Sequence, residues 1–313
     1  VTRFLARRAA MAVLTLLAVI VLTFALVHSI PGSPGAVMLG PGASARDIHA
    51  QNELLGWNQP LAVQFWDWIT HAVRGDLGTS LTGGNEVGPD LASRLPVTAA
   101  IALGATALSG VLGIVSGVVA AVRGGLVDRF ITAFSGIVVS LPTFWLGILL
   151  VYVASIRLGW LPATGYTPFA DSPVDWAKSL ALPVLSLAIG GAALVARQAR
   201  ASMVEALGQE HIRTLLATGI PPWRLLYVHA LRNASVPVVA GLGMQFVGLF
   251  GSTVIVEQIF ALPGLGQVAQ AAVTSHDFPS VQGVVIIATV VVVVTNVALD
   301  VLISALNPKL RAA

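Results

Sequence analysis

Residues 205–237 read EALGQEHIRTLLATGIPPWRLLYVHALRNASVP, and the rest of the chain is arranged around them. Glu205, Glu210, His211, Arg213, Arg224, His229, Arg232 and Asn233 crowd into this stretch, with long apolar runs on both sides. It is the longest part of the C-terminal half that a bilayer interior would reject. Within it Ile212, Leu215, Leu216 and Gly219 follow the i, i+3, i+4, i+7 spacing that gives a short helix one apolar stripe. Gly219 is expected to end that helix. Pro221-Pro222 permits a new one, because proline suits a first helical turn. A short amphipathic helix outside the bilayer must cover its stripe. A separate soluble partner is one solution; the lipid surface or the chain's own bundle is the other. The spacing alone favours neither.

The flanks settle the class. Of 313 residues, 56% are hydrophobic and 10% are charged, and the mean hydropathy is +0.86. Soluble domains carry about 25% charged residues, so an all-α, multi-span membrane protein is implied. Cysteine is absent, which removes disulfides, thiol catalysis and cysteine-ligated metals. The net charge of +3 is small and the basic residues are spread out, so no nucleic-acid partner is expected. A single membrane domain over residues 1–313 is the expectation.

A basic start (Arg3, Arg7, Arg8) precedes an apolar run from Ala9 to Ile30, long enough for a retained first spanning helix. Five further spans are expected at Pro96–Ala121, Phe130–Ile156, Leu180–Met203, Ala234–Val256 and Val281–Leu306, making six. The second carries Ala105, Ser109, Gly113 and Gly117 at four-residue intervals, a small-residue stripe on which another helix can approach closely. Between the first two spans, residues 31–95 form a helical insertion. Ser44 caps a helix ending near Gly56. Leu61, Phe65, Trp68, Ile69 and Ala72 form one face of a second, closed by Gly75. With Trp57, Trp66 and Trp68 they suit the membrane surface.

Counting charge orients the chain. With the N-terminus inside, twelve Lys and Arg fall in cytoplasmic segments and five in outer ones, together the 17 present. This agrees with the positive-inside bias and puts both termini in the cytoplasm. The outer segments then hold ten of the 14 acids, counting Glu257 just beyond the fifth span. Residues 204–233 become a cytoplasmic loop between helices 4 and 5.

Catalytic signatures are missing. A Walker phosphate loop needs a lysine after glycine, and the only lysines are Lys178 after Ala177 and Lys309 after Pro308. Gly264-Leu265-Gly266-Gln267-Val268-Ala269 matches a loose dinucleotide pattern without a surrounding βαβ unit; a tight turn into a short helix is expected. Six scattered histidines include no HExxH helix, so no metal site is expected. Polar residues inside spans are the remaining candidates: Gln245, Ser252, Thr253, Thr289, Asn296 and Asp300. Gln245, Ser252 and Asn296 are expected to line a translocation path, with an interhelical hydrogen bond the alternative for each. Asp300 is expected to pair with a cytoplasmic arginine.

Several segments resemble, in the right order, the B-type permease family of dipeptide/oligopeptide ABC importers. They are Phe24 with Pro31-Gly32-Ser33-Pro34; Gly75 to Ser80; Arg94 to Thr98; Leu141 to Gly147; Gly159 to Ala163; Phe260 to Gly266; Asp277-Phe278-Pro279; and Asp300 to Arg311. The likeness covers nearly the whole chain. It implies a type I ABC importer permease fold, six transmembrane helices and a cytoplasmic coupling helix. Ile212-Arg213-Thr214 to Gly219, then His229 to Asn233 and Pro237, resembles the family's EAA loop. Glu205, Ile212, Arg213, Thr214, Leu215, Ala217, Gly219, His229, Arg232 and Asn233 would then carry coupling to the ATPase. Leu215-Leu216 stand where alanine and arginine are common, and Thr218 where lysine is common, making the stripe more apolar.

The implied partners are a second permease subunit, two ATP-binding subunits, an extracytoplasmic substrate-binding protein and the lipid bilayer of a bacterial inner membrane. ATP and Mg belong to the ATP-binding subunits, and no cofactor is expected in this chain. Peptides are the expected cargo, with haem or nickel as alternatives. A self-sufficient secondary transporter or channel is the competing class. It would show internal repeats and ion-coupling charges at mid-membrane, neither of which is evident.

Overall fold

The computed structural model describes residues 2–306, of which the large majority lie in helices. In chain order these are α1 (Thr2–Ser29), α2 (Pro34–Leu39), α3 (Ala45–Leu54), α4 (Leu61–Val73), α5 (Val87–Arg123), α6 (Gly125–Val139) and α7 (Thr143–Leu150). Wide i→i+5 turns extend α7 over Val151–Arg157. There follow α8 (Pro173–Gly208), α9 (Glu210–Ala217) and α10 (Pro222–Arg224), which runs through wide turns at Leu225–Ala230 into α11 (Leu231–Ile259). Last come α12 (Leu265–Thr274) and α13 (Phe278–Leu306).

Five stretches are long and apolar enough to cross a membrane: Ala10–Ser29, Val87–Arg123, Pro173–Gly208, Pro222–Ile259 and Phe278–Leu299. The straight span expected at Phe130–Ile156 is instead broken, with α6 and α7 meeting at 99°. Proline is the cause. Pro142 has no N–H to donate and disfavours helical geometry at Leu141. The N–H groups of Ser140 and Leu141 tighten the last turn of α6 onto Ile137 O and Val138 O, both at 3.1 Å. Pro142 is extended (φ −62°, ψ 138°) and its carbonyl accepts the first bonds of α7. Conversely Pro96, Pro183 and Pro237 lie inside helices. Prolines are tolerated in membrane helices where neighbours satisfy the freed carbonyl. α5 accordingly runs through Pro96 and begins at Val87, ahead of the expected start at Pro96.

Five helices end in the same hydrogen-bonded turn, in which two successive N–H groups fold back onto carbonyls of the last turn around one left-handed residue. Gly56, Gly75 and Gly219 hold that position after α3, α4 and α9, as their sequence places predict. Ala261 (φ 52°) and His276 (φ 56°) hold it after α11 and α12, where sequence gave no such signal.

The helices form two compact units. The first comprises the described residues up to Val97 together with Pro263–Val297. In it Asn52 ties α3 to the start of α2, accepting from Gly35 N (2.8 Å) and donating to Ser33 Oγ (2.9 Å). The expected face of α4 is confirmed by Phe65 and Trp68 meeting Phe24 of α1 at ring separations of 5.2 and 5.9 Å, whereas Leu61 stays exposed. Asp277 is 3% exposed and draws together segments far apart in sequence. It accepts from Ser80 Oγ (2.5 Å), Leu81 N (3.1 Å) and Ser280 Oγ (2.8 Å).

The second unit comprises Thr98–Leu262 together with the described residues from Ala298 on. Its central element is α8, buried along most of its length and packed against α11, α6, α7 and α9. The small-residue stripe of α5 faces α8. Ala105 and Ser109 are fully buried. A methyl group on Gly117 would sit 2.5 Å from Ala196 O and 2.9 Å from Arg200 N, so only hydrogen fits there.

Candidate functional site

Gln209 adopts an extended conformation (φ −70°, ψ 145°), ending α8 and turning the chain into α9. α9 lies against α8 and against the wide-turn segment 225–230. Beside it Met203, Ala206, Ala230 and Ala234 form a buried apolar cluster that joins α8 to α11. The predicted stripe of α9 is divided. Ile212 is 1% exposed and anchors the helix to its own bundle, Leu215 is half-buried, and Leu216 is 52% exposed. Thr214, Ala217 and Gly219 are exposed with Leu216. Gly219 (φ 79°) closes the helix, its N–H reaching Leu216 O at 3.1 Å and that of Ile220 reaching Leu215 O at 3.4 Å.

The other residues of the stretch surround this knuckle. Asn233 Nδ2 lies 3.4 Å from His211 Nε2, linking the start of α9 to α11. His229 is half-buried, while Glu205, Arg232 and Asn233 are exposed. Arg213 belongs to α9, but its side chain lies outside the described residues, as do the side chain of Asp300 and all of 307–313. Close by on α8, Arg200 donates through Nε and Nη2 to both carboxylate oxygens of Asp128 on α6. Such two-pronged pairing fixes orientation as well as distance. It clamps the start of α6 to the end of α8 that leads into α9.

A cleft of about 600 Å³ opens between α6, α7, α8 and α11. Its walls include Leu187, Leu194, Val195, Val238, Leu242 and Leu249, and its polar groups include Gln198, Gln245 and Ser252. Gln245 and Ser252 therefore share one cavity. Ser252 Oγ donates to Gly248 O of its own helix (3.0 Å). Gln245 Nε2 is buried and makes no hydrogen bond to the protein. It lies against Gly191, where a methyl group would overlap both it and Ser109 Oγ. The Ser109 hydroxyl donates to Ala188 O (3.1 Å). A mostly apolar cavity with a few fixed polar groups is how small-molecule sites are generally built. Asn296 is exposed on α13 and is not among the lining residues.

Three acids emerge with roles the sequence reading did not give them. Asp128 forms the clamp to Arg200. Asp277 organises the first unit. Glu257, counted as an outer-segment acid, lies instead within α11, fully buried, and accepts from Thr98 Oγ1 at 2.6 Å. The span expected at Ala234–Val256 runs on to Ile259, which brings Glu257 inside the helix. The place of Asp277 beside Phe278-Pro279 was the one available signal.

Two family profiles match the chain. Residues 1–102 match the N-terminal membrane component of binding-protein-dependent transport systems, and residues 111–312 match the inner membrane component of those systems. A putative peptide transport system permease protein of Brucella abortus is 39% identical over 311 residues, 99% of each chain. The glutathione transport system permease protein of Escherichia coli K12 is 38% identical over 298 residues, 95% of each. Among solved structures, a chain of the MetNI methionine ABC transporter, in inward-facing form, aligns with a TM-score of 0.56 at 18% identity. It covers 69% of this chain and 96% of its own. An amino acid ABC transporter aligns at 0.53 and 17%, covering 68% and 92%. These structures share the fold with the present chain, an all-α permease of five to six spans, and the sequence relatives extend along nearly its whole length. The chain thus belongs to the family of binding-protein-dependent transport system inner membrane components, and it is a permease subunit.

Proposed function

We propose that this permease forms one half of the path of an ATP-driven peptide importer, with α9 as the element that meets an ATP-binding subunit. The observation that carries this reading is the divided stripe of α9: Ile212 holds the helix to its own bundle while Leu216, Thr214 and Ala217 face outward. A helix anchored on one side and bare on the other can transmit a push. The Arg200–Asp128 clamp would pass that push from α8 to α6 as a rigid-body movement. The cleft holding Gln245 and Ser252 is the proposed path, a mostly apolar cavity whose few polar side chains are suited to a peptide's amide groups. Peptide cargo is supported by the named substrates of the Brucella and E. coli relatives.

The remaining subunits are a second permease, two ATP-binding subunits that hold ATP and Mg, and an extracytoplasmic binding protein. The excess of basic residues in the loop set containing α9 supports a cytoplasmic α9 and cytoplasmic termini in a bacterial inner membrane. Mild-detergent purification of the tagged chain from native membranes tests the proposal. Co-purification of a second permease and ATP-binding subunits, lost on changing Leu216 to Asp, is the expected result. A solitary or purely homo-oligomeric protein would overturn it in favour of a self-sufficient transporter.

A further inference from the structure

Glycine inside a helix is disfavoured against alanine, so each one calls for a reason. On α8 and α11 the reasons divide. Gly191 and Gly243 are packed: a methyl group would overlap Gln245 and Ser109 at the first and Leu299 at the second. Gly190 and Gly248 are not. No neighbouring atom lies within 4 Å of the methyl that either could carry, and neither has the left-handed backbone that glycine favours. Gly241 is nearly as open, meeting only Gln198 Cγ at 3.7 Å, an ordinary contact. All three line the cleft of about 600 Å³ that holds Gln245 and Ser252. Gly241, Gln245, Gly248 and Ser252 follow one another at helical spacing along α11 and so share a face. Gly190 of α8 borders the same cavity.

The rest of the lining decides what that space can read. Among the described residues no Asp, Glu, Lys, Arg or His borders the cleft. Its polar side chains are those of Thr143, Gln198, Gln245 and Ser252, set among leucines and valines. Hydroxyl and carboxamide groups can meet backbone amides but give a charged side chain no partner of opposite sign. Such a wall discriminates by size, because a packed contact cannot take up extra carbons without displacement.

We propose that Gly190 and Gly248 are specificity-determining residues, which set the girth of the side chains a peptide can carry through the cleft. The inference rests on the reading of this cleft as the path of a peptide importer. At both positions a hydrogen in place of a side chain leaves room for the cargo's own, and Gly241 widens the same wall toward Gln198. Helix propensity is given up there, and the space gained lies in the cavity alone. Filling that space narrows the path for bulky peptides first.

The test uses cells in which variant chains replace the natural one and the rest of the transport system is intact. Uptake of labelled trialanine and of Ala-Trp-Ala is compared, counting only the uptake that disappears when the chain is deleted. The binding protein is the same in every strain, so its preference cancels when each ratio is divided by that of the natural chain. Gly190→Leu and Gly248→Leu should each lower the ratio of Ala-Trp-Ala to trialanine uptake by at least about tenfold. Gly190→Ala and Gly248→Ala should lower it by a smaller factor, although alanine favours the helix. Gly251 of α11 is the control, equally open but absent from the cleft lining, and Gly251→Leu should leave the ratio unchanged. An unaltered ratio in Gly190→Leu and Gly248→Leu, or an equal fall in Gly251→Leu, overturns the proposal. Loss of a second permease from the purified Gly190→Leu and Gly248→Leu chains assigns the open space to that subunit and overturns it as well. If the leucine variants do not fold, the alanine variants decide: an unchanged ratio refutes the proposal. Absence of chain-dependent uptake of either peptide with the natural chain refutes the peptide reading itself, and this inference with it, before any variant is made.

Discussion

Replacing Gly117 by alanine should force α5 and α8 apart, and the structure sets the size of the effect. The added methyl carbon would lie 2.5 Å from Ala196 O, 2.8 Å from Ala199 Cβ and 2.9 Å from Arg200 N. Two of these are backbone atoms of α8 and cannot rotate away. Ordinary contact starts at 3.4 Å, so the helices must separate by 3.4 − 2.5, or about 0.9 Å, at their tightest crossing. Overpacking of this kind costs about 1–3 kcal/mol. Alanine's better helix propensity returns up to about 1 kcal/mol, leaving a net loss of roughly 0–2 kcal/mol against the natural chain, and about 1–3 kcal/mol against an alanine whose methyl meets nothing. Gly136 of α6 supplies the control, because nothing lies within 4 Å of its would-be methyl. Gly136→Ala should be neutral or stabilising by up to about 1 kcal/mol. Both variants would be unfolded by increasing the SDS fraction in mixed micelles, followed by circular dichroism. If Gly117→Ala proves as stable as Gly136→Ala, the close approach of α5 to α8 is wrong.

Three further outcomes are expected. Leu216→Asp should weaken retention of the ATP-binding subunits by at least about tenfold without unfolding the permease, since it places a charge in a proposed apolar contact, whereas Ile212→Asp should lose the folded chain. Equal effects at both positions in quantitative co-purification would contradict the divided stripe. Gly219→Pro removes the N–H that reaches Leu216 O and imposes φ near −65° where the chain has 79°; uptake should collapse while membrane insertion persists, and normal peptide uptake would refute a coupling role. Gln245→Leu should leave stability unchanged or raise it by about 1–3 kcal/mol, because a buried unpaired donor is removed, while peptide uptake falls; a variant that is less stable and transports normally would mark Gln245 as structural.

Much of this protein is legible in sequence because lipid leaves few choices. Apolar runs locate the spans, and Gly56, Gly75 and Gly219 mark helix ends because an L side chain resists the left-handed turn found there. The stripe from Ala105 to Gly117 announces a helix contact by spacing alone. Where reading failed, two features of identical composition had different contexts. Pro142 breaks a span and Pro237 does not, although both interrupt apolar runs. Ala261 and His276 take up left-handed turns that local preference disfavours, so tertiary contacts must hold them. Glu257 looked like a loop residue because a buried acid is indistinguishable from an exposed one until its partner, Thr98, is brought beside it. In the candidate site, spacing gave the α9 stripe but not its division, since which leucine faces inward depends on how α9 lies against residues 225–230.

The bonds to Asp277 also carry a timetable. Ser80 and Leu81 wait for an acceptor 197 and 196 residues further along the chain. At about 5–20 residues per second, that interval is roughly 10–40 s of synthesis, during which α5 is already available to the membrane. Until Asp277 is made, Ser80 Oγ and Leu81 N lack the acceptor they have in the folded chain. The first unit is therefore complete only once α12, Asp277 and α13 have been made, since its bonds join the two ends of the chain.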